Sequence, residues 1–207
     1  MTDREFLLRE QARRTLARKS FHWYLRYVHG AAWKRTRLAE FLADAIQRFV
    51  EEDTGHPYDI LILQTPPQHG KSMTVTETLP SWYLGRNPEG RVIVAGYSED
   101  FAERFCRRNR EKLQRWGRDL FGVELGKVQR AAEFELAGHR GRMIARGLLS
   151  GITGNPADLL IVDDPIKSRQ EADSEVIRDR IWEEWQNSLK SRFAAGAKVI
   201  LIMTPWH

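Results

Sequence analysis

Four short runs of apolar residues divide the chain. They are "YDILILQ" at 58–64, "RVIVAGYS" at 91–98, "ADLLIVDDP" at 157–165 and "AKVILIMTPWH" at 197–207. Each run is short for a helix, and its apolar core is not broken by alternating polar residues. This pattern is typical of strands that are buried on both faces of a parallel sheet. The sequence therefore predicts four buried parallel strands.

Helical periodicity fills most of the chain before and between these runs. It predicts helices near 3–19 and 36–52, and then over 72–85, 99–116 and 174–193. Pro80 is expected to end or kink the third helix, because proline has no N–H for the helical ladder. Ser98 is placed to cap the fourth helix, and Asp173 or Ser174 to cap the fifth. Residues 117–154 carry glycines and two short strand-like pieces, "EFELAG" and "RMIARG".

Alternating strands and helices predict an α/β fold, with a mostly parallel central sheet and helices on both faces. Ligands of such sheets bind at the carboxyl ends of the strands. Three segments whose residue types are suited to binding or catalysis follow strand ends, namely Thr65–Ser72, Asp163–Asp164 and Met203–His207. We therefore expect these three segments to meet in one site.

Composition narrows the class of protein. The 207 residues are 42% hydrophobic, which is enough for one substantial core. No apolar run is long enough to span a bilayer, and the first twenty residues lack the apolar region of a signal peptide, so we expect a cytosolic protein. Cys106 is the only cysteine, which excludes an internal disulfide and a multi-cysteine zinc site.

Positive charge is concentrated at the amino terminus. Residues 1–37 contain ten Lys and Arg residues and three acidic residues, a net charge of +7, whereas the whole chain carries +5. Such a segment can contact a polyanion or can be the solvated face of an amphipathic helix. The solvated face is the favoured interpretation, and contact with DNA stays open.

The stretch "QTPPQHGKS" at 64–72 indicates a phosphate-binding loop. It ends on Gly70-Lys71-Ser72, although Thr65 occupies the place of the first glycine in the motif G-x-x-x-x-G-K-[ST]. Such a loop needs backbone N–H groups around the phosphates, a lysine near the terminal phosphates and a hydroxyl for Mg²⁺. Because Pro66 and Pro67 have no N–H, the donors must come from residues 68–72. A strand before the loop and a helix after it favour a nucleotide site over a chance turn.

Asp163 and Asp164 supply the acidic half of such a site. Hydrolysis of a γ-phosphate requires a carboxylate that holds Mg²⁺ and a second one that orients or deprotonates the attacking water. We assign Asp163 to the metal and Asp164 to the water. Asp164 also has a simpler interpretation, as a turn residue before Pro165.

The segments "TPPQHGKS", "GITGNPADLLIVDDPIKSRQEADS" and "LIMTPWH" resemble the ATPase domain of the large terminase subunit of tailed bacteriophages, from about Phe21 to the end of the chain. The resemblance implies an additional-strand P-loop fold of the RecA-like type, with Walker A at Thr65–Ser72 and Walker B at Leu159–Asp163. It implies that ATP and Mg²⁺ are bound, that Asp164 stands where the family usually has glutamate, and that Thr204 senses the γ-phosphate. The nucleotide contacts expected are Gln64, Pro67, Gln68, His69, Gly70, Lys71 and Ser72, with Ser72 and Asp163 on the metal.

The same resemblance implies an arginine finger before Walker B. Arg140, Arg142 and Arg146 are available, and Arg146 is chosen because it precedes Gly147 in an expected loop turn; the alternative is a solvated or DNA-facing arginine. Adenine could stack on an aromatic of "SFHWYLRYV" or be read by Gln64. The spacing of those aromatics favours a helix face in the core instead, and Gln64 could simply complete the strand.

At the level of the whole protein, the resemblance implies a packaging motor that moves double-stranded DNA into procapsids. We expect a basic helical segment at 1–55, an ATPase core at 56–207, and a C-terminal nuclease domain absent from this fragment. The expected partners are DNA, further copies in a ring, the portal protein and the small terminase subunit, in the host cytoplasm and transiently at the portal vertex. The alternatives are a helicase-like P-loop ATPase, and a nucleotide-binding DNA clamp or assembly module without turnover.

Overall fold

The computed structural model describes residues 2–66, 68–152 and 154–204. Within these ranges one sheet contains seven strands in the order β1-β7-β6-β2-β5-β4-β3. The strands from β1 to β5 along this order pair in parallel, and β4 and β3 continue the sheet antiparallel. Their bounds are β1 Tyr58–Gln64, β2 Arg91–Gly96, β3 Leu125–Gln129, β4 Glu133–Leu136, β5 Arg142–Gly147, β6 Ala157–Asp163 and β7 Phe193–Met203.

Helices surround this sheet. The α-helices are α1 Asp3–Lys19, α2 Phe21–His29, α3 Arg37–Glu51, α4 Lys71–Thr74, α5 Leu79–Arg86, α6 Glu99–Phe121, α7 Arg169–Asp173 and α8 Glu175–Glu184. A π-helical turn at Trp185–Leu189 and 3-10 turns at Gly30–Ala32 and Lys190–Arg192 complete the set in the described residues. Ser98 accepts a hydrogen bond from the N–H of Phe101, which confirms the predicted cap of α6.

Hydrophobic clusters lie on both faces of the sheet. The larger one joins α1, α2, α3, α5 and α6 to one face, and the smaller one joins Leu189 and residues near β5 and β6 to the other. The prediction of a mostly parallel α/β sheet with helices on both faces is confirmed. None of the helices in the described ranges is long and apolar enough to cross a membrane.

The prediction that the strand at 58–64 is buried was wrong. Among the strands of the described residues, β1 lies at the edge of the sheet and pairs only with β7, so one of its sides has no neighbouring strand there. Leu61 and Leu63 pack against the larger cluster, whereas Ile60 is 42% and Ile62 is 56% exposed on the other face. The apolar run identified a strand, but the position of that strand in the sheet is set by the order of strands.

Two predicted helices are interrupted. The one predicted over 72–85 consists of α4 and α5, separated by a turn at 75–78, and Pro80 lies in the first turn of α5. Proline is tolerated there because the N–H groups of a first turn have no helical partner. In the segment predicted as a helix over 174–193, the α-helix ends at Glu184 and is followed by a π-helical turn and a 3-10 turn. Ser174 occupies its N-cap position without a side-chain hydrogen bond to the helix.

The amino-terminal helices share the core of the sheet. Phe21 and Tyr24 of α2 are fully buried, and Phe21 packs against Trp82 of α5 with ring centroids 5.3 Å apart. The Tyr24 hydroxyl donates to Ser81 Oγ at 3.0 Å. These contacts attach α2 to the segment that follows the glycine-containing loop. The domain boundary at residue 55 stays a prediction.

Candidate active site

The described parts of the three segments singled out in the sequence emerge beside one another; residues 205–207 lie outside the described residues. β1, β7 and β6 are neighbours, with Gln64 opposite Met203 and Asp163 opposite Ile202. The carboxyl ends of these strands are therefore level, so that the loop after β1 and the residues after β6 and β7 share one crevice. This placement agrees with the expectation from the sequence.

The loop between β1 and α4 has an uncommon backbone. Gln68 and Gly70 have φ values of 65° and 75°, in the left-handed region that favours glycine. Lys71 opens α4, and the N–H groups of a first helical turn have no partner within the helix. Gln68, His69 and Gly70 are exposed on this loop. Pro67, which was predicted to contact nucleotide, lies outside the described residues.

Lys71 connects all three strand ends. Its side chain is 9% exposed, and Nζ donates to Asp164 Oδ1 at 2.9 Å and to Thr204 Oγ1. The N–H of Thr204 donates to the same Asp164 oxygen at 3.0 Å. Asp164 has a φ of 45°, a conformation that aspartate tolerates better than most residues. In this structure the ammonium group thus neutralises the carboxylate that was predicted to act on water.

Asp163 is fully buried beneath the loop. Its Oδ1 accepts a hydrogen bond from Ser72 Oγ at 3.2 Å, and its Oδ2 accepts one from Thr76 Oγ1 at 2.6 Å. Burial is the main cause that raises the pKa of the Asp163 carboxyl to about 6. A carboxylate beside a hydroxyl is the donor set that a hard cation such as Mg²⁺ prefers, so Ser72 and Asp163 fit the predicted metal site.

Thr65 adds an observation that points to a ligand. It is 7% exposed, and its Oγ1 is buried without a hydrogen-bond partner among the described residues. A buried hydroxyl without a partner costs about 1–3 kcal/mol, so a partner supplied by a ligand would be favourable there. From the sequence, Thr65 was only a departure from the glycine motif. Its hydroxyl fits a loop that binds an oxygen-rich group.

Arg146 lies apart from this crevice. The expectation of a loop turn at this position was wrong, because Arg146 is on β5, next to the carboxyl end. Its Nη1 donates to the backbone oxygen of Ala145 at 2.8 Å. β2 separates β5 from β6, which places the Arg146 backbone about 10 Å from the Asp163 strand at the usual strand spacing. Of the other two arginines, Arg142 begins β5, and Arg140 pairs with Glu89. The role of Arg146 as a finger stays a prediction.

The residues considered for adenine have other contacts. Gln64 ends β1, and its Nε2 approaches Met203 Sδ at 3.6 Å. Phe21 and Tyr24 are in the core, which confirms the favoured interpretation for these two aromatics. Trp23 and Tyr27 are half-buried and line a cleft of about 350 Å³ with Arg13, Arg26 and Arg35.

Thr76 was missed in the sequence, although it contacts Asp163 directly. Its partner Asp163 lies 87 residues further along the chain, so no local pattern marked Thr76. Asn109 of α6, which holds the backbone of Thr76, had no recognisable signal.

The known proteins to which this chain is similar are large terminases. A family model described as "Terminase large subunit, T4likevirus-type, N-terminal" matches residues 62–207. The large terminase of bacteriophage HK97 has a similar structure, with a TM-score of 0.50 and 15% identity, over 83% of this chain and 34% of that one. The large terminase ATPase domain of Thermus phage P74-26 gives a TM-score of 0.49 and 15% identity, over 84% of this chain and 66% of that one. No curated protein sequence matches.

Proposed function

Because the chain belongs to the family of terminase large-subunit N-terminal domains, we propose that it is the ATP-hydrolysing motor domain of a viral DNA-packaging terminase. The observation that carries this proposal is the convergence of Lys71, Ser72, Asp163, Asp164 and Thr204 at three adjacent strand ends. The present chain spans about a third of the length of the HK97 large terminase. The activity of the whole terminase is therefore part of the proposal.

The loop would bind the phosphates of ATP. The N–H groups of residues 68–72 surround the phosphate oxygens, and the Thr65 hydroxyl gains the partner that it lacks. Lys71 would leave Asp164 for the terminal phosphates, because the phosphates together carry more negative charge than the single Asp164 carboxylate. Ser72 and Asp163 would hold Mg²⁺. When bound, Mg²⁺ neutralises charge that develops on the phosphate oxygens.

The departure of Lys71 would prepare Asp164 for catalysis. Once its ammonium partner is withdrawn, Asp164 can orient the attacking water and accept its proton while the bond from the γ-phosphorus to ADP breaks. The Thr204 N–H keeps hold of Asp164 Oδ1. Thr204 also accepts from Lys71, so it contacts both groups that change partners and is the proposed γ-phosphate sensor.

Arg146 is proposed to act on a neighbouring copy. β2 lies between its strand and the Asp163 strand, and its guanidinium donates to the Ala145 carbonyl of its own chain. A ring of copies could bring it to the adjacent nucleotide, where it would stabilise the transition-state charge. Turnover by an isolated chain should then depend on assembly.

The partners follow from the same proposal. Hydrolysis would drive double-stranded DNA into procapsids, with the portal protein and the small terminase subunit as partners in the host cytoplasm. The basic segment at 1–55 and the core at 56–207 would belong to this motor.

The test is phosphate release from ATP and Mg²⁺ at rising protein concentration. We expect a specific rate that climbs with concentration, is lost in Lys71→Ala and falls strongly in Arg146→Ala. Lys127→Ala is the matched control, because Lys127 is exposed on β3 at the opposite edge of the sheet. Turnover that survives in Lys71→Ala would contradict the proposal.

A nucleotide-binding module without turnover is the second candidate. The observation in its favour is that Lys71 and Arg146 both have partners inside the chain. It predicts ATP binding without phosphate release at every protein concentration, even after the C-terminal domain and DNA are added. DNA-stimulated turnover would exclude it.

A further inference from the structure

The two carboxylate oxygens of Asp163 have different partners. Oδ1 accepts from Ser72 on the side of the phosphate loop, whereas Oδ2 accepts from Thr76 in the buried interior. The Thr76 bond is the shorter one, at 2.6 Å against 3.2 Å, and both Thr76 and Asp163 are 0% exposed. One oxygen is therefore held from the interior by Thr76, and the other is held on the loop side by Ser72.

The interruption of the helix after the loop accounts for the reach of Thr76. α4 ends at Thr74, and the turn at 75–78 is closed by a bond from the N–H of Glu77 to the Ser72 carbonyl at 2.8 Å. Ser72 and Thr76 thus reach the two oxygens of the same carboxylate.

Asn109 of α6 holds this turn in place. Its Nδ2 donates to the Thr76 carbonyl and to the Phe105 carbonyl, each at 2.9 Å, and its Oδ1 accepts from the N–H of Ser81 at 2.9 Å. Asn109 is 0% exposed. A buried amide with three such bonds fixes its partners, because an unpaired group at this depth would be costly.

We propose that Thr76 is a positioning residue, which holds Oδ2 of Asp163 so that Oδ1 points at Ser72 and at the divalent cation. Asn109 supports it by fixing the backbone of Thr76. This inference rests on the proposed function, since it concerns the cation that accompanies the nucleotide. It assigns to Thr76 a role outside the Gly-Lys-Ser motif. Removal of a residue that orients a metal ligand typically lowers metal affinity by about 10–100-fold.

The test compares nucleotide affinity with and without the cation. A fluorescent ATP analogue is titrated into each variant in Mg²⁺ and again in EDTA, and the ratio of the two dissociation constants gives the Mg²⁺ enhancement. In Thr76→Val, which keeps the shape and removes the hydroxyl, we expect the enhancement to fall by about 10–100-fold. Affinity in EDTA should stay within about twofold of wild type, and Thr76→Ser should restore the enhancement.

Thr78→Val is the matched control. Thr78 is a threonine of the same turn and is also 0% exposed, but its hydroxyl donates to the Met73 carbonyl and contacts His29 instead of Asp163. We expect Thr78→Val to leave the Mg²⁺ enhancement unchanged, even if it lowers the melting temperature.

Three results would overturn the positioning role. They are an unchanged enhancement in Thr76→Val, an equal loss of affinity in Mg²⁺ and in EDTA, and an equal effect of Thr78→Val. Absence of nucleotide binding by the wild-type chain would overturn the proposed function as well. A failure of the positioning role alone would leave nucleotide binding by the wild-type chain intact, so the two failures are distinguishable.

Discussion

The contact between Lys71 and Asp164 predicts that Asp164→Asn will bind nucleotide more tightly. In the structure, Lys71 Nζ is 2.9 Å from Asp164 Oδ1, and the two side chains are 9% and 25% exposed. ATP must compete with this carboxylate for the ammonium group. An amide is a weaker partner for Lys71 and does not repel phosphate, so the substitution should release Lys71.

The burial of the pair sets the expected magnitude. Exposed ion pairs contribute about 0–1 kcal/mol, and breaking a buried pair costs about 3–5 kcal/mol. A partly buried pair lies between these values, at about 1–2 kcal/mol. Because 1.4 kcal/mol corresponds to a tenfold change, the dissociation constant should fall by roughly 5–30-fold.

The assay is a titration of a fluorescent ATP analogue in EDTA, which excludes hydrolysis and metal effects. The matched control is Asp158→Asn at the amino end of β6, whose side chain is 28% exposed and bonded to Arg91. Unchanged or weaker binding by Asp164→Asn would refute the reasoning, as would an equal gain in Asp158→Asn. Phosphate release should be lost in Asp164→Asn.

Three further predictions concern stability. Burial lowers the pKa of His29 to about 4; the unfolded chain then binds the extra proton, so stability should fall as pH drops from about 6.5 towards 4, by about 1–2 kcal/mol after solvent screening. The free energy of unfolding, measured in urea across this pH range, should depend less on pH in His29→Gln than in the wild type. Trp82 is 1% exposed and donates from Nε1 to the Ala17 carbonyl, so Trp82→Ala should cost about 3–5 kcal/mol in the same assay. A Cβ at Gly141 would lie 2.2 Å from the Pro88 carbonyl oxygen; Gly141→Ala should lower the melting temperature, and an unchanged value would contradict this contact.

The sequence was sufficient for the parts of the site that depend on strand ends. Apolar runs located the strands, and a parallel sheet brings their carboxyl ends to one edge. This is why Lys71, Asp163, Asp164 and Thr204 could be placed together before any coordinates. The edge position of β1 could not be predicted, because hydrophobicity does not encode the order of strands.

Residues that act through tertiary contacts were not predictable. Asn109 is 28 residues from Ser81 and 33 from Thr76 along the chain, and Thr76 is 87 residues from Asp163. Threonine and asparagine are also common in turns and helices. The interruption at 75–78 depends on the packing of this turn against α6. A helical pattern that continues through 72–85 gives no sign of it.

The most direct measurement of the central claim is a crystal structure of this chain with Mg²⁺ and a non-hydrolysable ATP analogue. The account predicts phosphates on the N–H groups of residues 68–72, Lys71 Nζ moved from Asp164 to the terminal phosphate, and the cation beside Ser72 and Asp163. A nucleotide bound elsewhere, with Lys71 still on Asp164, would contradict it.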